Sequence, residues 1–380
     1  MTLLGIGQEF LTKLLPITYA IIGFSLIIIV HEFGHFSFCK LFNIDTPTFS
    51  IGFGPEIIRK KIGKTDFRIA AIPLGGYVEI SGLAEPGQGD QTLAISKNST
   101  SFATKPYWQK CLVTLGGVSF NIIFAYIALI FLFMVGAPKT EVLIQSTAKN
   151  SIAEISGFKS GDKILKIGNY NVAEKPELLN NAIQGLQNKK GETITFIIMR
   201  NDNQKEITIN MPTTEIRPKP GQGKMGFVLG YRQSEKREKF GLIESIKRGS
   251  TLATAYVVLT LKALKLSFSK RTLKGTGGPV MILSETIKQA KHGFILLLGF
   301  LAIISIGIGI FQLIPIPALD GGQLMFISIE ALIGREIPLK IKETLHMISL
   351  LLILALFLYI TYSDILMLIK GSAGATPPIK

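Results

Sequence analysis

The sequence predicts an α-helical membrane protein with four transmembrane helices, a β-hairpin region and an α+β domain outside the membrane. Hydrophobic residues make up 47% of the 380 residues, charged residues only 18%, and the mean hydropathy is +0.40. A soluble enzyme of this length would be less apolar and more highly charged. Four apolar runs are long enough to cross a bilayer, and two stretches between them alternate short β-prone runs with Gly and Pro.

The four apolar runs define the predicted spans. In the first run, the only charged or imidazole residues between Lys13 and Lys40 are His31, Glu32 and His35. Each run exceeds the roughly 18 apolar residues that indicate a spanning helix. A fifth run, 251–261, is shorter and is followed by lysines, so it predicts an amphipathic helix at the membrane surface within a linker over 216–292. The predicted spans are 1–40, 111–138, 293–322 and 346–370.

The segments between the spans divide into loops and one folded domain. FSIGFGP at 49–55 and FRIAAIPLGGYV at 67–78 are β-prone runs bounded by Gly and Pro, which predicts hairpin strands within 41–110. The domain at 139–215 combines a helical stretch at 176–187 with four β runs, which predicts an α+β fold. The β runs are 141–145, 163–167, 193–199 and 206–210. The remaining segments are a loop at 323–345 and a tail at 371–380.

The charge and the cysteine content exclude several classes. The formal net charge is +15, but the basic residues are scattered and no nucleic-acid motif accompanies them. The charge therefore predicts basic loops facing anionic lipid and no nucleic-acid partner. Cys39 and Cys111 are the only cysteines, so we expect reduced thiols and no disulfide framework. The long first run lacks a small-residue cleavage site and is expected to be a retained anchor.

The first span carries the HExxH motif His31-Glu32-Phe33-Gly34-His35. Residues i and i+4 share one face of a helix, so both imidazoles can bind one Zn²⁺. Glu32 can act as general base toward a metal-bound water, whose pKa zinc lowers to about 7. The alternative is a polar cluster that neighbouring helices satisfy. The zinc interpretation is favoured because unpaired polar residues are costly inside a span.

A catalytic zinc site needs a third protein ligand and an open position. Asp320 ends the third run in PIPALDGG, where two prolines break the helix and two glycines let the backbone approach closely. Irregular backbone at membrane depth is tolerated where it is buried or lines a cavity, so a carboxylate beside it indicates a functional residue. The alternative is a lone carboxylate at a span boundary. His292 and His346 are further candidates, but each stands alone beside a span and is expected to be interfacial.

The span count tests whether these ligands can meet. His31 and His35 lie near the C-terminal end of the first span, and Asp320 lies at the C-terminal end of the third. Both ends reach the same side of the membrane only if a single span separates them, which the four-span count provides. If the run 251–261 also crossed, the site could not close. The flanking basic residues favour a cytoplasmic zinc side only slightly.

Together these motifs resemble the site-2 protease family of intramembrane zinc metalloproteases along nearly the whole chain. HEFGH matches the zinc motif of that family, and FSIGFGP and IPLGGYV look like its membrane-associated β region. KPYWQK at 105–110 resembles the approach to the second span. SGFKSGDKILKIGN at 156–169 is similar to a PDZ core, and GGP at 277–279 and LDGG at 319–322 also fit.

The resemblance implies a role for each matching residue. His31, His35 and Asp320 would bind zinc, and Glu32 would be the catalytic base. Asn121 matches a family asparagine near the active site. The expected substrate-binding residues are Asn121, Gln312, Gly75 and Gly76.

The resemblance also implies partners and a location. Family members cut single-pass membrane proteins in the bilayer, such as anti-sigma-factor-like proteins or signal peptides, after a first protease has shortened them. Their PDZ domain is thought to act as a size filter through peptide contacts. The zinc side faces the cytoplasm at the bacterial inner membrane, and the PDZ domain lies on the other side.

Three positions depart from the family pattern, and two other functions stay open. Gln312 stands where Asn is usual, and Val118 and Ile152 replace common prolines. Gln keeps the amide group, so the change bears on substrate contact and not on zinc binding. One alternative function is a non-catalytic membrane scaffold, which the zinc triad and Glu32 argue against. The other is an ion or metal transporter, which the scarcity of polar residues in the spans argues against.

Overall fold

A computed structural model of the chain describes residues 3–83, 99–149, 151–174, 179, 182–183, 191–211, 226–270 and 278–374. The chain forms two compact units. One consists of Met1–Val135 and Phe240–Lys380, and the other of Gly136–Lys239. Cys39 and Cys111 are free thiols, as the sequence predicts.

The first unit is mostly helical. Its helices are α1 (Leu3–Leu41), α2 (Tyr107–Thr114), α3 (Gly116–Val135), α4 (Leu242–Lys270), α5 (Pro279–Lys291), α6 (Phe294–Gln312), α7 (Asp320–Ile333) and α8 (Leu339–Gly374). In the described parts of the chain, four helical segments are long and apolar enough to cross a membrane, which matches the predicted number of spans. They are Leu14–Leu41, Gly116–Val135, Phe294–Gln312 and Leu339–Met367. The surface position expected for 251–261, now part of α4, stays a prediction.

The third spanning helix is shorter than the predicted 293–322, and the predicted loop at 323–345 is largely helical. α6 ends at Gln312, because Pro315 and Pro317 disfavour helical backbone at and before their positions. A new helix, α7, then begins at Asp320. The sequence pattern did not separate α6 from α7, because the break itself consists of apolar residues.

α1, α3 and α6 pack on one another through small residues. A Cβ on Gly116 would lie 2.7 Å from the carbonyl oxygen of Gly34, so the backbones of α1 and α3 touch at the HExxH turn. Helices in lipid rely on such close packing, since no hydrophobic drive brings them together. The small or polar buried residues of α3 are Gly116, Gly117, Asn121, Ala125 and Ala128.

The predicted hairpin region forms two long paired strands, β1 (Thr48–Ile62) and β2 (Thr65–Val78). Register shifts bend both strands, so residues 48–51 lie between residues 66–69 on one side and residues 76–78 on the other. The end of β2 is therefore one edge of this small sheet. The second half of β1 is the opposite edge.

The second unit is built on one sheet of six strands: β3 (Ala137–Thr147), β4 (Lys163–Ile167), β5 (Tyr170–Asn171), β6 (Thr193–Arg200), β7 (Asn203–Asn210) and β8 (Phe227–Glu238). Within the described residues the strand order is β7-β6-β4-β3-β8, and β5 pairs with β4. Alternate residues of β6, such as Phe196 and Ile198, are fully buried in its core. The buried Asp162 carboxylate accepts two hydrogen bonds of 2.6 Å from the Arg200 guanidinium.

This unit extends beyond the predicted domain at 139–215. β8 pairs antiparallel with β3, although the sequence analysis placed β8 in a linker over 216–292. The second half of β8 reads QSEKRE and lacks the apolar alternation that marks a strand. The helical stretch predicted at 176–187 lies outside the described residues, apart from positions 179, 182 and 183.

A buried carboxylate joins α8 to α5. Asp364 is 3% exposed and accepts hydrogen bonds from the backbone N–H groups of Gly278 (3.2 Å), Val280 (3.1 Å) and Met281 (3.1 Å). These groups open α5 and have no partner within that helix. The carboxylate therefore caps the helix and lies at the positive end of its dipole.

Replacing Asp364 with alanine would leave these three donors unpaired. We expect Asp364→Ala to lower the free energy of unfolding by about 1–2 kcal/mol, the usual cost of losing an N-cap. The measurement is the midpoint of heat denaturation of the detergent-solubilised chain. Ser349→Ala is the matched control, because the Ser349 hydroxyl donates only to the carbonyl of Leu345 in the same helix. Equal midpoints for the two variants would contradict the capping role.

Candidate metal centre

Two histidines on one face of α1 form the base of the site. The apolar sequence around them continues α1 as a single helix to Leu41. His31 and His35 are one turn apart, and their Nε2 atoms lie 3.2 Å from each other. The HExxH spacing therefore directs two ring nitrogens to one point, as the helical period predicts.

Asp320 reaches the same point from a distant part of the chain. Its Oδ2 lies 3.2 Å from His31 Nε2 and 3.5 Å from His35 Nε2. Side chains at Gly321 and Gly322 would collide with backbone carbonyls of the preceding turn, so the glycines let α7 begin directly against it. The Asp320 Oδ2 is buried and makes no hydrogen bond within the described residues.

These three atoms fit a tetrahedral zinc ion. Two ligand atoms at about 2.0–2.2 Å from zinc lie roughly 3.3–3.6 Å apart in a tetrahedron. The three separations here are 3.2, 3.2 and 3.5 Å. Two imidazole nitrogens and one carboxylate oxygen are ordinary zinc ligands, and three protein ligands leave the fourth position open for water. The donor set is therefore that of a catalytic zinc site.

Groups on α2 and α3 hold the histidine rings. The Nδ1 of His35 donates to the carbonyl oxygen of Val113 at 2.9 Å, which leaves the lone pair of Nε2 available to a metal. Behind His31, the side chain of Asn121 is 0% exposed, with its Nδ2 3.3 Å from His31 Nδ1. Gly117 lies against both rings and leaves them just enough room.

The metal-binding residues line a cavity of about 320 Å³. Glu32 is half-buried in this lining, beside Gly76 of β2, where an added Cβ would lie 3.8 Å from Glu32 Cγ. Gln312 also lines the cavity, and its buried Oε1 makes no hydrogen bond in the described part of the chain. His346 is also part of the cavity lining, and its Nδ1 donates a hydrogen bond to the carbonyl oxygen of Pro317 at 3.1 Å. Carboxylate, amide and imidazole groups thus border the metal position.

A second cavity of about 230 Å³ adjoins the first, because Leu83 and Gln323 line both. Lys110 of α2 and Glu330 of α7 lie in its wall, and Lys342 Nζ is 2.7 Å from Glu330 Oε1. Burial lowers the pKa of Lys110 below its ordinary value, while the carboxylate of Glu330 acts in the opposite direction. Polar groups therefore extend from the metal site between α2 and α7.

The structure places most of the predicted site residues at the first cavity. Gly75 adopts a φ of 134°, and a side chain there would collide with the Phe53 ring, so this position requires glycine. Asn121 is not in the cavity lining, and its neighbour is His31, which differs from the substrate contact expected of it. His292 lies apart, at the end of α5. The predicted residues that line the cavity are His31, Glu32, His35, Gln312 and Asp320.

The sequence analysis missed three residues of the site. His346 was considered as a third ligand and expected to be interfacial, yet it lines the cavity. The predicted order of the spans, which puts His346 on the side of Asp320, was the available signal. Val113 acts through its backbone carbonyl, and Gly117 acts through the space left by a missing side chain. The residue type alone reveals neither role.

A side chain at Gly117 would disturb the metal site. An added Cβ would lie 2.5 Å from His31 Cε1 and 2.5 Å from His35 Nε2. We expect Gly117→Ala to displace a ring and to weaken metal binding by about tenfold or more, as disturbed ligand support does elsewhere. Competition with a chelator measures this affinity. Gly307→Ala is the control, because a Cβ there meets nothing within 4 Å. An unchanged affinity in Gly117→Ala would show that the rings do not depend on this contact.

Comparison with known proteins identifies the family. Residues 19–356 match peptidase family M50. A protein of Fusobacterium nucleatum subsp. nucleatum is 31% identical over 350 residues, covering 91% of this chain and 97% of that protein. A Clostridium perfringens protein is 32% identical over 352 residues, covering 92% and 98%. Both bear names that begin "Putative zinc metalloprotease". The chain belongs to peptidase family M50, the site-2 protease family of membrane zinc metalloproteases, and its cofactor is zinc.

Proposed function

We propose that this metalloprotease cuts single-pass membrane proteins within or next to their transmembrane segments. The observation that carries the proposal is the depth of the metal-binding residues. His31 and His35 lie inside Leu14–Leu41, a segment long and apolar enough to span the bilayer, and not in a soluble domain. A peptide bond therefore reaches them from within or beside the membrane. Intramembrane proteolysis is general to the family.

Glu32 is the proposed general base. His31, His35 and Asp320 would hold the zinc ion, which would supply Lewis-acid chemistry for peptide hydrolysis. The Glu32 carboxylate takes a proton from the attacking water and later donates it to the leaving amine. The Gln312 amide and the His346 ring border the same cavity and offer hydrogen bonds to the substrate backbone. The polar groups between α2 and α7 border the cavity next to this site.

The edge of β2 is the proposed platform for the substrate. A transmembrane helix hides its amides in hydrogen bonds and must unwind before it is cut. Glu79 N–H donates to the Thr48 carbonyl at 2.9 Å. Because antiparallel pairs alternate, Gly76 and Val78 then direct their backbone groups away from β1. Gly76 adjoins Glu32, so an unwound segment added to this edge as a strand would lie beside the catalytic base.

The proposed location and partners follow the family resemblance. The protein would lie in the bacterial inner membrane with its zinc side toward the cytoplasm. The unit Gly136–Lys239 would be a PDZ domain on the other side, filtering substrates by size through peptide contacts. Substrates would be anti-sigma-factor-like proteins or signal peptides in regulated intramembrane proteolysis. The sheet and the buried core of that unit are the structural support for a separate binding domain.

Removing the base should stop cleavage without removing zinc. We expect Glu32→Gln to reduce cleavage of a tagged single-span reporter by about 10²–10⁴-fold, the usual contribution of general acid–base catalysis. Zinc content, measured by elemental analysis, should match that of the unaltered protein. A Glu32→Gln protein that still cuts the reporter would rule out Glu32 as the general base. Zinc without cleavage by the unaltered protein on any reporter would favour the scaffold alternative, and metal flux in vesicles would favour a transporter.

The strand-addition proposal predicts where the substrate touches the enzyme. Ile72 lies on the β2 edge and is 49% exposed, and Ile57 lies on the opposite edge and is 66% exposed. With a photoreactive residue in the Glu32→Gln background, we expect position 72 to capture the reporter and position 57 to capture none. Equal capture from both edges, or capture from 57 alone, would rule out this platform.

A further inference from the structure

We infer that Asn121 is a positioning residue for the metal site. Its side-chain oxygen accepts a hydrogen bond from Nδ1–H of His31 and so holds the Nε2 of that ring toward zinc. The inference rests on zinc as the cofactor and on no particular substrate. A failure of the proposed cleavage reaction would leave it standing.

The first step concerns the proton on His31. Its Nε2 is the atom that faces the other two ligands, at 3.2 Å from Asp320 Oδ2 and 3.2 Å from His35 Nε2. A nitrogen that binds a metal must offer its lone pair, so the proton of the neutral ring sits on Nδ1. His31 therefore needs a hydrogen-bond acceptor at Nδ1. His35 has one in the carbonyl of Val113, which can only accept.

The second step concerns the orientation of the amide. In one orientation of the Asn121 amide, its Nδ2 lies 3.3 Å from His31 Nδ1. The Nδ2–H of Asn121 and the Nδ1–H of His31 would then be two donors facing each other. The two ends of an amide have nearly the same shape, and their hydrogen-bond partners decide which is which. Asn121 Oδ1 is buried and accepts no hydrogen bond from any described residue. Rotating the amide by 180° breaks no hydrogen bond to Oδ1, and it brings Oδ1 to His31 as the acceptor for Nδ1–H.

The third step concerns rigidity. Asn121 is 0% exposed, and its backbone carbonyl accepts a hydrogen bond of 3.0 Å from the Ser305 hydroxyl of α6. A Cβ on Gly309 of α6 would lie 3.3 Å from Asn121 Cβ, so α6 packs closely against this point. The acceptor for His31 is thus held between α3 and α6. Outer partners of this kind fix the ring and strengthen its bond to the metal.

Two substitutions of Asn121 distinguish a role as hydrogen-bond acceptor from a role in packing alone. Leucine keeps the volume but accepts no hydrogen bond, so we expect Asn121→Leu to weaken zinc binding about 10–100-fold. Aspartate can only accept, so Asn121→Asp should restore an affinity close to that of the unaltered chain. Chelator competition on the full, detergent-solubilised chain measures both. Leucine with unaltered affinity, or aspartate as weak as leucine, would overturn the inference.

Two further measurements guard against misfolding. Gly307→Ala changes α6 at a position where an added Cβ meets nothing within 4 Å, so it should keep the affinity of the unaltered protein. The second measurement needs no Asn121 variant. The chain has 4 histidines, so ¹⁵N-histidine spectra are simple, and His31→Gln assigns the His31 signals. We expect a protonated Nδ1 and a metal-bound Nε2 on His31. Metal bound through Nδ1, or an unprotonated Nδ1, would overturn the inference.

Discussion

His31 Nε2, His35 Nε2 and Asp320 Oδ2 lie within 3.5 Å of one another beside the ends of the first and third spans. The packing of the first unit holds these three electron-rich atoms together. Such atoms repel unless a cation lies among them, so each needs firm backbone support. The support for the histidines is the contact of α1 with α3 at Gly34 and Gly116. The support for Asp320 is the break after Gln312, which ends one helix and begins the next at the ligand itself.

Local patterns were sufficient to predict the clustering of His31, His35 and Asp320 and the number of spanning helices. The helical period and the number of spans between the residues can both be counted in the sequence. HExxH places two rings on one face, and only one intervening span lets Asp320 join them. Partners across helices were not predictable in this way. Asn121 was expected to touch substrate, whereas its buried position behind His31 depends on how α3 and α6 pack. The strand β8 was missed because its pairing with β3 overrides an unfavourable local sequence.

Few charged or amide residues lie inside the spans, and two of them, Asp364 and Asn121, are buried against partners on other helices. Charged and amide groups in a bilayer are costly when unpaired. Asp364 is stabilised by the amides that open α5, and Asn121 lies between a zinc ligand and α6. The chemistry is assembled within the first unit. The second unit is compact and has a core of its own.

The order of the ligands along the chain has a consequence for biosynthesis. His31 and His35 lie in the spanning segment Leu14–Leu41, whereas Asp320 follows the spanning helix Phe294–Gln312 and is translated nearly 300 residues later. The zinc triad cannot close until the chain through Asp320 has been translated and inserted. A nascent chain that has inserted only the HExxH helix therefore lacks one of its three zinc ligands, and its metalloprotease site forms only after the helix that ends at Gln312 is in place.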